Sequence, residues 1–354
     1  MNKRAAQIQD ILRQKDIDCA LFIVEENIEP TITLVTNLTR VTHAALLVQK
    51  EAPATAYVSA LDHGRALKES AVNVILLKKR LFEYVKEVSP KTIGIDFENV
   101  SHHLLERLKQ ACPRAKIFNI SDDLKQIRIV KTEEEIEKIT KAAAIANNAF
   151  TKALESFTYK TESELKAAIE YEMAMRGASP SFPTIVASGK NASVPHHFTT
   201  NSSLQEGFCV IDFGANLNGF CSDCTRTIYI GKPSEKERQV YKFVRESQEA
   251  AIAKLKPGIR CAELDTIYRN RLGKYKKYFT HSLGHGIGVE VHEFPSVSSK
   301  SPDIIQKNTA VTIEPGIYIP DKFGIRIEDL FIVRTKASCI TNLPKDLIIF
   351  DRSG

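Results

Sequence analysis

"GFCVIDFGANLNGFCSDCTRTIYI", residues 207–230, decides the architecture of the second half of this chain. Asn218-Gly219 stands between two segments rich in alternating and β-branched residues. That dipeptide is the strongest short-range signal for a two-residue type I′ hairpin turn, whose central positions both need φ > 0. If Leu217 pairs with Phe220, counting outward places Asp212 opposite Thr225, with Asp223 one diagonal step away on the same face. Two carboxylates, eleven residues apart in sequence, then converge. Like charges about 5–8 Å apart repel unless a cation joins them or a proton neutralises one. The hairpin alone leaves two solvated surface aspartates as the competing reading.

"EPGIYIPDKFGIRIED", residues 314–329, shifts the balance toward a metal. Glu314 ends one strand-like run, and Arg326 and Glu328 alternate on one face of another that is otherwise apolar enough to be buried. Buried carboxylates in a strand need partners. "HSLGHGIGVEVHE", residues 281–293, sets His281, His285 and His292 among Gly284, Gly286 and Gly288. The glycines argue against a helix, each costing about 1 kcal/mol relative to alanine in a helix interior, so a loop running into a strand is expected. Asp212, Asp223, Glu314, Glu328 and His285 together make four negative charges and one imidazole, enough to neutralise two divalent cations. Such an oxygen-rich, nitrogen-poor set suits manganese, cobalt or iron(II) better than a thiolate-type zinc site. Cys221 and Cys224 form a CxxC, but it has no second pair at zinc-ribbon spacing and does not open a helix, so it carries neither a metal nor a redox role.

The chain has 354 residues, about right for two domains. An apolar fraction of 43% suffices for real cores, and 26% charged residues is ordinary for a globular protein. The opening "MNKRAAQIQDILRQKD" lacks the apolar centre of a signal peptide, and no run reaches the roughly 18 apolar residues of a membrane span. Seven scattered cysteines, an odd number, read as reduced thiols of a cytoplasmic protein. The net charge of +6 is modest, and "KKR" (78–80) and "KYKK" (274–277) are short clusters without a basic stripe or interleaved aromatics. Neither nucleic acid nor a membrane is expected as a partner.

Residues 1–125 alternate helix-like and strand-like pieces, from the Ile8, Ile11, Leu12 face through "CALFIV", "AALLVQK", "ATAYVSA" and "NVILLKK" to "KTIGIDFENVSHHLLERLKQA". This is an α/β unit. "DDLKQIRIVKTEEEIEK" reads as a polar joint leading into a helix whose start is marked by Thr132 and Glu135, a capping box, and a second domain is expected over 126–354. Ile136, Ile139, Ala143, Ala146, Phe150, Ala153, Leu154 and Phe157 continue one face of that helix. Thr161 with Glu164 and Ser234 with Glu237 open two further helices, and strands rich in β-branched residues lie between and after them.

The Asp, Asp, His, Glu, Glu order, carried by "DFGANLNGFCSDCTRT", "HSLGHGIGVEVHE", "EPGIY" and "GIRIED", resembles the pita-bread metallopeptidases. These include Xaa-Pro aminopeptidase, Xaa-Pro dipeptidase (prolidase) and methionine aminopeptidase. The resemblance extends over nearly the whole chain, since the first 125 residues look like the N-terminal domain of the proline-specific members. It implies an α+β protein: a C-terminal pita-bread domain with a curved antiparallel sheet flanked by helices, preceded by a smaller α/β domain, in a homodimer. It further implies two divalent ions, manganese first, with cobalt, zinc and iron(II) as alternatives. Asp223 and Glu328 would bridge them or chelate one, Asp212 would chelate the other, and His285 and Glu314 would complete the set, Glu314 also shuttling protons. By the same resemblance His196, in "VPHHF", and His292 would bind the substrate and its developing oxyanion, and His281 would line the pocket. Thr225, Tyr318 and Arg326 would orient ligand carboxylates, and the glycines around His285 would let the loop backbone approach the metals. His197 is left as an ordinary loop histidine.

The sequence departs from the family in three places. Gly207 is followed by Phe208 where Gly-Asp is usual, and the N-terminal "YLTGF" element reads "TLVTNLTR". Some dipeptidase relatives carry an arginine four residues after the equivalent of His292, and here that position is Ser296. A dipeptide's carboxylate needs a cation, so Ser296 favours an Xaa-Pro aminopeptidase acting on peptides with proline in second position. Xaa-Pro dipeptidase is the alternative, and a non-catalytic binding protein on the same fold is the reading of a different class. Methionine aminopeptidase, which lacks this N-terminal domain, is disfavoured.

Overall fold

The computed structural model describes residues 2–24 and 29–351. The chain forms two compact units, Met1–Arg128 and Ile129–Gly354.

The first unit is built on a mixed six-stranded sheet in the spatial order Asn73–Leu76, Thr55–Val58, Ala44–Gln49, Cys19–Val24, Thr92–Ile95, Lys116–Asn119. Side chains alternate across a strand, so Cys19–Val24 feeds two cores at once. Ala20, Phe22 and Val24 pack with Ile8 and Leu12 of the helix Lys3–Gln14, while Cys19 and Leu21 pack with Phe82, Val85, Leu104 and Leu108 on the opposite face. This is why "CALFIV" is apolar without interruption. The segment expected to be a polar joint is instead a helix, Ser121–Ile129, belonging mostly to this unit. Leu124 is buried in the first of those cores with Ile127 packed against it three residues on, and Asp122 and Asp123 sit favourably in the first turn.

In the second unit all three capping boxes form as the sequence predicts, opening the helices Glu133–Glu155, Glu162–Ala174 and Glu235–Ile252. Each is worth about 1 kcal/mol to its helix. The first helix ends before Phe157, which stacks on Phe350 instead of extending the helical face. Glu133–Glu155 and Glu162–Ala174 cover one core, with Phe150 stacked on Phe213 at 4.9 Å; Glu235–Ile252 and Cys261–Arg271 cover another, centred on Tyr268, Val311 and Phe331.

The strands under these helices are largely antiparallel. One sheet runs Ile349–Phe350, Cys224–Ile230, Gly207–Phe213, Ile185–Ser188; a second runs Glu293–Val297, Gly284–Gly286, Thr309–Ile313, Asp329–Val333, Ala337–Cys339; two smaller ones hold the hairpin tip and the pair Gly316–Ile319 with Phe323–Arg326. The hairpin register is as counted: Leu217 faces Phe220 and Asp212 faces Thr225, with φ of 50° at Asn218 and 81° at Gly219. The ladder is interrupted at Gly214 and at Ser222–Asp223, where a Cβ on Gly214 would meet the Ser222 carbonyl oxygen at 1.9 Å. That close approach takes Asp223 out of regular pairing. "IRIEDLFIV" likewise differs from the single strand expected. It breaks into Phe323–Arg326 and Asp329–Val333, because the Glu328 N–H donates across to the Thr225 carbonyl (3.0 Å) and Ile327 N–H to Pro315 (3.2 Å).

Candidate active site

The interrupted hairpin, the broken strand and the glycine-rich loop meet. Asp223, His285 and Glu328 offer ligand atoms that lie within 4.8 Å of one another. His285 Nε2 stands 3.6 Å from Asp223 Oδ2 and 3.6 Å from Glu314 Oε1. Its other nitrogen lies 3.0 Å from the Gly286 carbonyl, which fixes the tautomer: Nδ1–H donates there, leaving the Nε2 lone pair aimed at the carboxylates. Asp212 faces the same space and is gripped by Arg326, whose Nη2 donates to Oδ2 at 2.6 Å.

Arg326 organises the carboxylates. Its Nε donates to Thr225 Oγ1 (3.0 Å), and that hydroxyl in turn donates to Glu328 Oε2 (2.7 Å). Tyr318 joins through Arg326 rather than through a ligand carboxylate: its hydroxyl accepts from Nη1 (2.9 Å) and lies 2.9 Å from His281 Nε2. His281 places Nδ1 2.8 Å from the Ser282 carbonyl, so both ring nitrogens are engaged. Burial, then the Arg326 charge, pushes its pKa down to about 3, leaving it neutral. His292 packs edge-on against His285 with centroids 4.5 Å apart. His196 is exposed, and its electrostatic influence reaches both His281 and His292.

These groups fit divalent ions on the chemistry of the donors. Asp212 Oδ1, Asp223 Oδ1 and Glu328 Oε1 are buried without a hydrogen-bond partner among the described residues. An orphaned buried acceptor costs about 1–3 kcal/mol, so three together are what a coordinated cation would relieve. Burial raises the Asp223 and Glu328 pKa values well above the carboxylate range, reinforced by the neighbouring carboxylates, and raises Glu314 to about 8 against the opposing pull of Arg326. Burial also lowers His285 to about 4, keeping the imidazole unprotonated as a ligand must be.

A carboxyl whose folded-state pKa lies above its unfolded value holds extra protons in the native state, so its contribution is full below about 4.5 and is lost as pH rises through about 8. Metal-free protein should therefore lose thermal stability between pH 5 and pH 8. Added manganese should raise Tm more at pH 8 than at pH 5, by at least ~4 °C for a domain of this size. Equal shifts at both pH values in differential scanning calorimetry would rule out this cluster as the binding site.

The glycines around His285 meet a packing need that the sequence alone does not show. A Cβ on Gly284 would meet the Thr312 carbonyl oxygen at 2.0 Å, and one on Gly286 would meet that of Phe294 at 2.1 Å. They let the short strand press between its two neighbours. Sequence reasoning also missed the buried network behind the site. Arg226 Nη2 donates to Asp329 Oδ1 (2.7 Å), and Gln248 Nε2 donates to the carbonyls of Ile313 and Ile327, each adjacent to one of the site's glutamates, and to Asp329 Oδ2. The signal was present: Arg226 is a charge inside the β-branched run "CTRTIYI".

The model of Metallopeptidase family M24 matches residues 137–335, and that of the Creatinase/Prolidase N-terminal domain matches residues 4–130. The chain belongs to metallopeptidase family M24. It is a hydrolase of the family's proline-specific pita-bread branch, and the family implies divalent metal ions. The chain is 37% identical to an Xaa-Pro dipeptidase of Pyrococcus horikoshii, over 98% of this chain and 99% of that one. It is 40% identical to an Xaa-Pro dipeptidase of Pyrococcus furiosus, over 83% and 86%. Among solved structures it resembles the prolidase from P. horikoshii OT3 (TM-score 0.91, 36% identity, 98% and 100% of the two chains covered). It also resembles the X-Pro aminopeptidase from Thermotoga maritima MSB8 (TM-score 0.89, 34% identity, 96% and 99%). Three of these four matches are named as Xaa-Pro dipeptidases or prolidases and one as an X-Pro aminopeptidase. No helix among the described residues is long and apolar enough to cross a membrane.

Proposed function

We propose that this M24 peptidase hydrolyses Xaa-Pro dipeptides, with two divalent ions held by Asp212, Asp223, His285, Glu314 and Glu328. The observation that carries the dipeptidase assignment is the end-to-end identity of 37% with the P. horikoshii Xaa-Pro dipeptidase. When bound, the ions supply Lewis acidity, polarising the scissile carbonyl and acidifying water. The chain's own groups do the rest. His196 and His292 hydrogen-bond the substrate and the negative charge that develops on its carbonyl oxygen. Glu314 moves a proton to the departing proline nitrogen, which bears no hydrogen in the Xaa-Pro amide. His281, held neutral between Ser282 and Tyr318, lines the pocket. Arg326 and Thr225 hold Asp212 and Glu328 in place, with Tyr318 bracing Arg326. The oxygen-rich donors support manganese. The resemblance supports a homodimer, and the odd number and scattered placement of the seven cysteines support a cytoplasmic setting.

The Xaa-Pro aminopeptidase reading rests on Ser296, whose backbone faces His285 and donates to the Asp303 carboxylate at 3.2 Å, so this position offers a substrate carboxylate no cation. Turnover of Ala-Pro and Ala-Pro-Ala after chelation, and after separate return of manganese, cobalt or zinc, decides between them. A kcat/KM for Ala-Pro at least ~10-fold above that for Ala-Pro-Ala is expected, on the scale of a lost substrate contact. The reverse preference would make the enzyme an aminopeptidase, and no turnover with any metal would leave a binding protein.

A further inference from the structure

Glu162 is the first residue of the helix Glu162–Ala174, and its side chain is 0% exposed. An acidic residue there suits the helix dipole, but full burial demands more, and all of its hydrogen-bonding capacity is directed at one loop. Oε1 accepts from the Ser188 N–H (2.7 Å), from Ser188 Oγ (2.9 Å) and from Asn191 Nδ2 (3.0 Å). Oε2 lies 3.0 Å from His197 Nε2, so the imidazole donates that proton to the carboxylate. These contacts span the end of the strand Ile185–Ser188, the 3-10 turn Gly189–Ser193 and the loop after it.

His196 sits between two pinned neighbours. On one side, the Pro195 carbonyl accepts from Arg326 Nη1 at 3.2 Å, the same guanidinium that grips Asp212. On the other, the His197 ring is tied to Glu162 and its N–H donates to the Val194 carbonyl (3.2 Å). Thr199 then fastens the outgoing chain to the strand, its Oγ1 accepting from the Val186 N–H at 2.7 Å. The strand-side wall is equally close, since a Cβ on Gly324 would meet the Ala192 carbonyl oxygen at 1.8 Å. The backbone that carries the exposed His196 ring is therefore held on both sides.

We propose that Glu162 and His197 are positioning residues that hold the His196 imidazole beside the metal site. This rests on the reading that His196 contacts substrate. The test is a double-mutant cycle on the metal-loaded full-length enzyme with Ala-Pro as substrate. H197A should lower kcat/KM by ~10-fold or more, because displacing a positioned group by about 1 Å can cost up to ~100-fold. Its split between kcat and KM should mirror that of H196A, with metal content unchanged, while the Glu162 oxygen left buried without its donor lowers the melting temperature by a few degrees. In the H196A background, adding H197A should change kcat/KM less than ~2-fold, since the interaction it serves is already gone. H197Q, whose amide can still donate to Glu162, should recover most of the activity. If H197A does not fold, H197N, which keeps a donor but shortens the reach, carries the same cycle. A wild-type-like H197A, or the same loss from H197A in both backgrounds, would overturn the proposal. An active H196A would instead overturn the assignment of His196 to substrate, and this inference with it.

Discussion

Asp212→Asn is expected to reduce hydrolysis of Ala-Pro by at least ~100-fold, on the scale of removing one main electrostatic element of an active site. Asp212 has one oxygen held by Arg326 at 2.6 Å and the other buried without a partner among the described residues. The asparagine amide is nearly isosteric, so its oxygen can keep the Arg326 bond while its NH2 faces the space where a cation would bind. That exchanges a negative acceptor for a neutral donor at the point where charge matters. Stability in the absence of metal should change little, because removing one of several mutually repelling carboxylates relieves repulsion. Metal content by plasma emission spectrometry and kcat on Ala-Pro, measured together, check the claim. A variant with full metal content and full turnover would remove Asp212 from the ligand set.

Legibility differed between the two kinds of feature that build this site. The turn residues Asn218-Gly219 announce their own geometry through positive φ, and from that turn alone the pairing of Asp212 with Thr225 can be counted. The capping boxes are equally local, three residues long and self-contained. The breaks in the strands were not legible. "IRIEDLFIV" alternates as a continuous strand would, and its division shows only in bonds to other segments, from the Glu328 N–H to the Thr225 carbonyl, 103 positions away in sequence, and from the Ile327 N–H to the Pro315 carbonyl. The glycines at 284 and 286 signal a close backbone approach, but the sequence does not show that the Thr312 and Phe294 carbonyls are among the groups that approach. The tie between His197 and Glu162 was equally hidden: the two lie 35 residues apart, and nothing in "VPHHF" points to it. The helix Ser121–Ile129 was hidden by its charged start, although Leu124 and Ile127 hold helical spacing.

Asp329→Ala should destabilise the second unit by ~3–5 kcal/mol, because it leaves Arg226 charged and buried with its counter-ion removed. Arg226 and Asp329 are 2% and 0% exposed, and the aspartate also receives Gln248 Nε2 at 3.0 Å and Lys345 Nζ at 2.5 Å. Arg226 Nη1 meanwhile donates to the Glu328 carbonyl at 2.6 Å, and Gln248 holds the carbonyls of Ile313 and Ile327. The network therefore fixes the backbone on both sides of Glu328 and just ahead of Glu314, so its loss should act at a distance on the ligands. Melting in excess chelator separates the two consequences: a drop in Tm of roughly 10 °C for a domain of this size is expected without metal. A further ~10–100-fold weakening of manganese binding, the usual cost of losing an outer hydrogen-bonding partner, should appear in titrations below the melting range. The paired variant Arg226→Met with Asp329→Leu removes both charges, and should recover much of the Tm but not the metal affinity, since it restores packing without restoring the bond to the Glu328 carbonyl. A Tm within ~2 °C of wild type for Asp329→Ala alone would show that Arg226 finds water or another partner, and that the network does not hold the glutamates in place.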